Sequence, residues 1–403
     1  MSGIRLLPSA LRGTVQVPPS KSYAQRAFIA AYLAGGGRVE LSGTSDDIQA
    51  TVNALNALDN HEKTIDCGAS AATLRLLMPL AAALGKNVTF TGSGRLPERP
   101  IGEYLRLFPQ HGVSCTYHGR LPVTVNGRLR PGRFAVSGNI SSQYISGLLM
   151  ALPLLDGDSE IVLTTPLNSE PYVTMTLQML HLHGIEINAT PTGFAIPGRQ
   201  CYQPCDVTVE GDWSQAAFFL AGGVLSGDVT VTGLNPTSVQ GDRAITKILR
   251  RFGGDITAAD NGVRAVKSRL HGITVDVADI PDTLPAIAVV AACAEGDTVI
   301  TGAERLKWKE SDRISATVQN LQKAGIAAQA TSDALIITGG KPHGAELSGC
   351  NDHRIVMAMS ILALAADGET QISDAQSVSK SYPAYFEDYR LLGGCAHVID
   401  DRE

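Results

Sequence analysis

The chain repeats itself six times, and that feature limits the folds open to it more than any other. In each copy a stretch rich in Ala and Leu runs into a glycine and then a short alternating strand: Gly37-Arg-Val-Glu-Leu-Ser-Gly43, Gly85-Lys-Asn-Val-Thr-Phe-Thr-Gly92, Gly157-Asp-Ser-Glu-Ile-Val-Leu163, Gly227-Asp-Val-Thr-Val-Thr-Gly233, Gly296-Asp-Thr-Val-Ile-Thr-Gly302 and Gly368-Glu-Thr-Gln-Ile-Ser-Asp374. The steps between the leading glycines are 48, 72, 70, 69 and 72 residues, the mark of one structural unit used repeatedly. A second, amphipathic stretch follows each strand and stops at a turn residue. Arg243 to Phe252 shows the pattern, with Ile245, Ile248, Leu249 and Phe252 at helical spacing ahead of Gly253-Gly254. Its counterparts end at Gly112, Gly184, Gly325 and Gly393, and at Asp59-Asn60 in the first copy. Each unit reads helix, strand, helix, then further strands such as Ala334 to Thr338. The first unit is about 20 residues short, lost near Asn60 to Lys63.

The Ala/Leu-rich helices are nearly uncharged all round, as suits a helix buried inside a sheet-walled domain. The amphipathic helices belong outside them or between strands. Six units exceed one small core, so the spacing predicts an α/β (α+β) protein of two domains, each of three helix-strand-helix-strand repeats. The best seam is Glu210-Gly211-Asp212. The expected division is residues 18–210 for the first domain and residues 1–17 plus 211–403 for the second, with a strand over Ile4 to Val17.

Composition narrows the function classes. Apolar residues make up 44% and charged residues 18% of the 403, which is the balance of a compact chain rather than a disordered one. The longest uncharged apolar stretch, Pro285 to Ala294, is about half the roughly 20 residues of a membrane span. A formal charge of −6 gives no general attraction to nucleic acid or acidic membranes, so any anionic partner must meet a local basic cluster. The opening residues lack the apolar core of a signal peptide and the pattern of a transit peptide, which favours the cytoplasm. Seven cysteines at 67, 115, 201, 205, 293, 350 and 395 show no Cys-x-x-Cys and no paired Cys/His spacing, and read as reduced core thiols.

Function is sought where the repeats stop being interchangeable. The apolar helices open on Ser20-Lys21-Ser22 with Arg26, Ser70 with Thr73-Leu74-Arg75, Ser141-Ser142-Gln143, Asp212-Trp213-Ser214, Asp282-Thr283, and Asn351-Asp352-His353-Arg354. Helix N-termini carry free N–H groups and partial positive charge, so they favour anions. Capping explains the serines and Asp352. It does not explain Lys or Arg in a first turn, where they oppose the dipole. The amphipathic helices open on Leu96-Pro-Glu98-Arg99-Pro100, Asn168-Ser169-Glu170-Pro171-Tyr172, Lys309-Glu310-Ser311-Asp312-Arg313 and Ser379-Lys380-Ser381-Tyr382-Pro383. One such charge run would be a solvated face; recurrence of basic residues at equivalent places points to anion binding.

Nine segments in this order, Pro19-Ser-Lys-Ser22 with Arg26, Asp66-Cys-Gly-Ala-Ser-Ala-Ala-Thr-Leu-Arg75, Glu98-Arg-Pro-Ile101, Ser141-Ser-Gln143, Ser169-x-Pro-Tyr172, Ile280-Pro-Asp282, Lys309-Glu-x-Asp-Arg313, Asn351-Asp-His-Arg354 and Lys380, resemble the 5-enolpyruvylshikimate-3-phosphate synthase family of enolpyruvyl transferases along nearly the whole chain. The resemblance implies a two-domain inverse α/β barrel fold that closes like a clamshell. It also implies transfer of the enolpyruvyl group of phosphoenolpyruvate to the 5-hydroxyl of shikimate 3-phosphate, with release of phosphate, on the route to chorismate and aromatic amino acids. Carried over, Lys21, Ser22, Arg26, Ser141, Ser142, Gln143, Ser169 and Lys309 would hold shikimate 3-phosphate, with Asp282 on its reacting hydroxyl. Lys21, Ala71 through its backbone, Arg99, Gln143, Arg313, Arg354 and Lys380 would hold phosphoenolpyruvate. Asp282 is the expected base, and Glu310 and Lys21 are the alternatives for moving the other proton. No metal or organic cofactor is called for. The expected partners are these two small anions, with no nucleic acid or membrane and the chain acting as a monomer.

The chain departs from the family pattern in two places. Ala71-Ala72 stands where glycine and then Ser or Thr is usual, so a methyl group would narrow the phosphoenolpyruvate pocket against the bulkier inhibitor glyphosate. Arg305 stands where some members have Asn beside the phosphate. The nearest rival is the sister enzyme acting on UDP-N-acetylglucosamine, whose loop carries a cysteine before Arg-Pro; this chain has Gly92-Ser-Gly-Arg-Leu-Pro-Glu-Arg99 instead. A non-catalytic binding homologue is the other reading, motivated by the short first unit and by Ala71-Ala72. A P-loop reading of Pro18-Pro-Ser-Lys-Ser22 fails because the phosphate-cradling glycines are absent.

Overall fold

The computed structural model describes residues 3–399. They form two compact units, one from the residues up to Pro18 together with those from Glu210 onward, the other Pro19–Val209. Among the described residues twelve α-helices alternate in kind. The apolar set is α1 (Lys21–Ala34), α3 (Ala71–Ala83), α5 (Ser142–Ala151), α7 (Trp213–Ser226), α9 (Leu284–Ala292) and α11 (His353–Ala363); the second set is α2 (Asp46–Asp59), α4 (Gly102–Leu107), α6 (Glu170–Leu182), α8 (Ile245–Arg251), α10 (Arg313–Lys323) and α12 (Tyr385–Leu391).

The apolar helices are the core. Every residue of α9 and α11 is buried, as is all of α7 except Ser226 and all of α3 except Ala72. In one unit α7, α9 and α11 pack on one another, and in the other α3 packs on α5. The sheets lie outside them, giving each unit helices within and strands around: an inverse α/β barrel.

Five of the six sheets have four strands in one scheme. A strand runs parallel to the one that follows the apolar helix, and a hairpin after the second helix adds two antiparallel strands, as in Thr64–Asp66, Val88–Thr91, Val123–Gly127 and Val113–Tyr117. A parallel pair needs a long crossover, and the apolar helix supplies it. Among the described residues the sixth repeat makes one strand of its hairpin, Cys395–Ile399. The missing place is filled by Gly3–Leu7, which lies antiparallel to both Thr370–Ile372 and Cys395–Ile399. Arg12–Gln16 then runs parallel to Asp228–Thr232 in the fourth sheet. The single strand expected over Ile4 to Val17 is therefore two strands serving different sheets, broken at Pro8, which has no N–H for a ladder.

The first repeat lacks the hairpin altogether. Its sheet is two strands, Val39–Glu40 and Val207–Thr208, and α2 ends at Asp59 only a few residues before the next sheet begins at Thr64. Consequently α1 keeps a half-buried face, and Phe28, Ala31, Tyr32, Val39, Val52 and Leu55 line an open groove of about 260 Å³. The second helices stop at glycines in the left-handed region, Gly112 (φ 82°), Gly184 (73°), Gly253 (94°), Gly325 (81°) and Gly393 (93°), where a side chain would be strained. All seven cysteines carry free thiols; Cys67 is fully buried and Cys293 and Cys350 pack against the core, whereas Cys201 is exposed and is no core thiol. Among the described residues no helix is long and apolar enough to cross a membrane.

Candidate functional site

In the unit from Glu210 onward, a charged cluster joins the starts of α9, α10 and α11. Asp282 lies in the 3-10 turn Pro281–Thr283 that leads into α9. Its Oδ1 accepts from Arg313 Nη1 at 2.8 Å and from Lys309 Nζ at 3.3 Å, and its Oδ2 is 3.1 Å from Arg354 Nη2. Arg313, the first residue of α10, also donates to Glu310 Oε2 at 2.7 Å and grips Asp352 through Nε and Nη2 at 2.8 and 3.2 Å. Asp352 is the N-cap of α11, accepting from Arg354 N at 3.0 Å and from Ser311 Oγ at 3.0 Å. Arg354 donates to Ser214 Oγ at 2.9 Å and to the Asp282 carbonyl at 3.2 Å. Asp212, which caps α7, accepts from Ser214 N and Oγ.

Burial is graded across the cluster. Asp352 and Arg313 side chains are 0% and 1% exposed, whereas Asp282, Glu310 and Lys309 keep 17%, 15% and 24%. Solvent thus reaches the Asp282 side. Burial alone would raise the Asp282 carboxyl, but Arg354, Lys309 and Arg313 outweigh it and hold the group well below the usual carboxylate range. Burial likewise works against the Arg313 cation, and Asp352, Glu310 and Asp282 more than compensate, keeping it firmly charged. Lys380 is buried at the end of the turn Ala375–Lys380. Arg305 donates to the Ala278 carbonyl at 2.5 Å, an internal tie that takes up part of its guanidinium.

The Pro19–Val209 unit holds a second set. Lys21 Nζ is 2.8 Å from Asp47 Oδ2 at the start of α2. Gln25, one turn along α1, donates Nε2 to Thr51, Ser70 and Thr73, binding the starts of α1, α2 and α3 together. Gln143 presents Oε1 to Arg75 Nη1 at 2.9 Å, while Arg75 Nη2 holds the Pro100 carbonyl at 2.8 Å. Ser141 caps α5 by accepting from Gln143 N. Ser142 and Arg99 are buried, and Ala71 is the buried first residue of α3, after its cap Ser70. Ser169 precedes α6 in the left-handed region (φ 57°). Ser22 and Arg26 stand together, but all three Arg26 nitrogens point at protein: Nε to Thr176 Oγ1 at 2.7 Å, Nη1 to the Ser22 carbonyl at 2.7 Å, and Nη2 to Ser146 Oγ and the Tyr172 carbonyl. Burial pushes this guanidinium down to about 10.

The helix caps read from the sequence hold for Ser70, Ser141, Asp212 and Asp352. Asp47, Ser146, Thr176, Asp352 as an arginine anchor, and the Asp212–Ser214 pair went unrecognised. The distant residues they join lie 26 to 150 residues away, beyond any local period; Asp352 and the Asp212–Ser214 pair sat in helix starts already picked out, without these roles. What each set can do is bind anions: guanidinium and ammonium groups beside helix N-termini suit carboxylates and phosphates.

A protein-family model described as EPSP synthase (3-phosphoshikimate 1-carboxyvinyltransferase) matches residues 7–65 and 59–389. The chain belongs to the EPSP synthase family. It is 39% identical to the 3-phosphoshikimate 1-carboxyvinyltransferase of Clostridium novyi (strain NT), covering 100% of this chain and 99% of that one, and 41% identical to that of Clostridium acetobutylicum over 98% and 99%. Among solved structures, EPSP synthase from Acinetobacter baumannii matches with a TM-score of 0.81 and 25% identity over 99% of this chain and 100% of the other. The enolpyruvyl transferase NikO from Streptomyces tendae, at 21% identity, shares the fold with a TM-score of 0.79 over 99% of both chains. EPSP synthase family membership thus spans both units and every segment that carries a charged cluster.

Proposed function

We infer that this chain is a 3-phosphoshikimate 1-carboxyvinyltransferase, moving the enolpyruvyl group of phosphoenolpyruvate to the 5-hydroxyl of shikimate 3-phosphate and releasing phosphate. The observation that carries the reading is the cluster of Asp282, Lys309, Arg313 and Arg354 within a chain that belongs to the family from end to end. We assign Lys21, Ser22, Arg26, Ser141, Ser142, Gln143, Ser169 and Lys309 to shikimate 3-phosphate. Lys21, the backbone at Ala71, Arg99, Gln143, Arg313, Arg354 and Lys380 are assigned to phosphoenolpyruvate.

The reaction follows from these roles. Asp282 takes the proton of the attacking hydroxyl as its oxygen bonds to C2 of phosphoenolpyruvate, and an acid, Glu310 or Lys21, delivers a proton to the methylene carbon. The intermediate then loses a proton from that carbon as the C2–O bond to phosphate breaks. The fixed guanidinium groups offset the charge of two phosphorylated carboxylates held near one another. We propose that the chain acts as a monomer, a state that sedimentation at working concentration would test.

The decisive assay follows phosphate release from phosphoenolpyruvate with shikimate 3-phosphate, beside a parallel reaction with UDP-N-acetylglucosamine. Release with shikimate 3-phosphate alone is expected, and release with the sugar nucleotide alone would overturn the reading. Asp282→Ala at near-full turnover would remove Asp282 as the base.

A further inference from the structure

The charged cluster contains two carboxylates that hold the same arginine in different ways. Asp352 is completely buried and accepts four bonds, from Arg313 Nε and Nη2, Ser311 Oγ and the Arg354 backbone N–H. It ties the start of α10 to the start of α11, gripping the Arg313 guanidinium and capping the helix turn from which Arg354 projects. Asp282 is partly exposed, and its carboxylate is held by cations alone: Lys309, Arg313 and Arg354. Two guanidinium groups converging on one carboxylate are the receptor a substrate carboxylate would need.

We propose that Asp282 is a resident stand-in for the carboxylate of phosphoenolpyruvate, occupying Arg313 and Arg354 until the substrate displaces it, with Asp352 as the positioning residue that keeps both arginines in place during the exchange. This deepens the reading above and rests on it. The exchange does two things. It makes phosphoenolpyruvate compete with an internal anion, and it turns an inert carboxylate into a base. In the free protein Asp282 is too strongly held by cations to take a proton readily. Once Arg313 and Arg354 turn to the incoming anion, burial and the neighbouring Glu310 act on Asp282 against less opposition, and its affinity for a proton rises. Lys309 remains as its cationic neighbour, and Asp352 stays on Arg313. The base is thereby armed only when the second substrate is present.

The test is calorimetric titration of phosphoenolpyruvate, without an acceptor so that no turnover occurs, into the full chain and into Asp282→Asn. Removing the internal competitor is expected to tighten binding about tenfold, the scale of coupling between close charges, while abolishing turnover with shikimate 3-phosphate. Repeating the native titration below neutral pH in buffers of different ionisation enthalpy should show proton uptake in excess of that in Asp282→Asn. Asp352→Asn should weaken binding and raise KM, because both arginines lose their anchor. Equal or weaker binding by a folded Asp282→Asn overturns the proposal, as does the absence of excess proton uptake by the native chain, a readout that needs no folded variant. Failure of the native chain to release phosphate with shikimate 3-phosphate would instead overturn the functional reading.

Discussion

Lys21 and Arg26 sit about one turn apart on α1, yet the structure treats them differently. Arg26 is 2% exposed with three nitrogens engaged by α1, α5 and α6, whereas Lys21 pairs with the carboxylate of Asp47. Losing the Asp47 charge should therefore disturb function more than folding. We predict that Asp47→Asn lowers kcat/KM about tenfold, the scale of losing one close charge partner, with little change in melting temperature, and that Asp47→Glu restores part of the rate; steady-state kinetics beside thermal melts check this. Ala71 gives a second prediction: Ala71→Gly should tighten competitive inhibition by glyphosate more than it changes KM for phosphoenolpyruvate, and an unchanged inhibition constant would reject the narrowed pocket. The charged cluster was legible because Lys309 and Glu310, just before α10, and Arg313 and Arg354, in the first turns of α10 and α11, break the repeat. Asp47 and Thr176 were not, because an acidic residue at a helix start and a threonine within a helix look like ordinary capping and packing until the fold brings Lys21 and Arg26 beside them.

Elements that repeat in sequence differ in how closely they can pack. On α5, a Cβ added at Gly147 would lie 2.5 Å from the Arg75 carbonyl and from Tyr104 Oη, and 3.0 Å from Pro79 Cγ. The missing side chain lets α5 lie against α3, and the same Arg75 carbonyl accepts from Tyr104 Oη at 2.6 Å. Gly147→Ala should destabilise the Pro19–Val209 unit by about 2 kcal/mol, within the usual cost of overpacking. Denaturant titration would measure it, and a stability within error of the native chain would show that α3 and α5 can part without cost. Periodicity gave the apolar helices and the glycine stops of five second helices correctly, because burial on all sides removes charge from a helix such as α9 and leaves an unmistakable run. It could not give the pairing partners of the short strands. Two-residue and three-residue strands carry too little alternation to say which neighbour they join, and Gly3–Leu7 joins one some 370 residues away.

For the whole molecule, the chain crosses between its units at two adjacent points. The Pro18 carbonyl accepts from Asp212 N at 2.9 Å, so the strand that leaves one unit lies beside the segment that returns to it. We predict that residues 19–209 can be excised, and Pro18 joined to Glu210 by two glycines, with the remaining unit still folding cooperatively. Calorimetry of that protein should give one sharp transition, and a molten product without one would show that the unit depends on the excised half. The placement of Gly3–Leu7 between Thr370–Ile372 and Cys395–Ile399 has a further consequence during synthesis. Chains emerge from the ribosome at roughly 5–20 residues per second, and domains fold as they appear. Residues 3–7 are made well before their partners over 370–399, and residues 12–16 before theirs over 228–232. The Pro19–Val209 unit can complete itself while translation continues, whereas Gly3–Leu7 must wait, unpaired, until the segment over 370–399 has been made. The unit begun first is finished last, and its open strand edge is what a nascent-chain chaperone would have to cover.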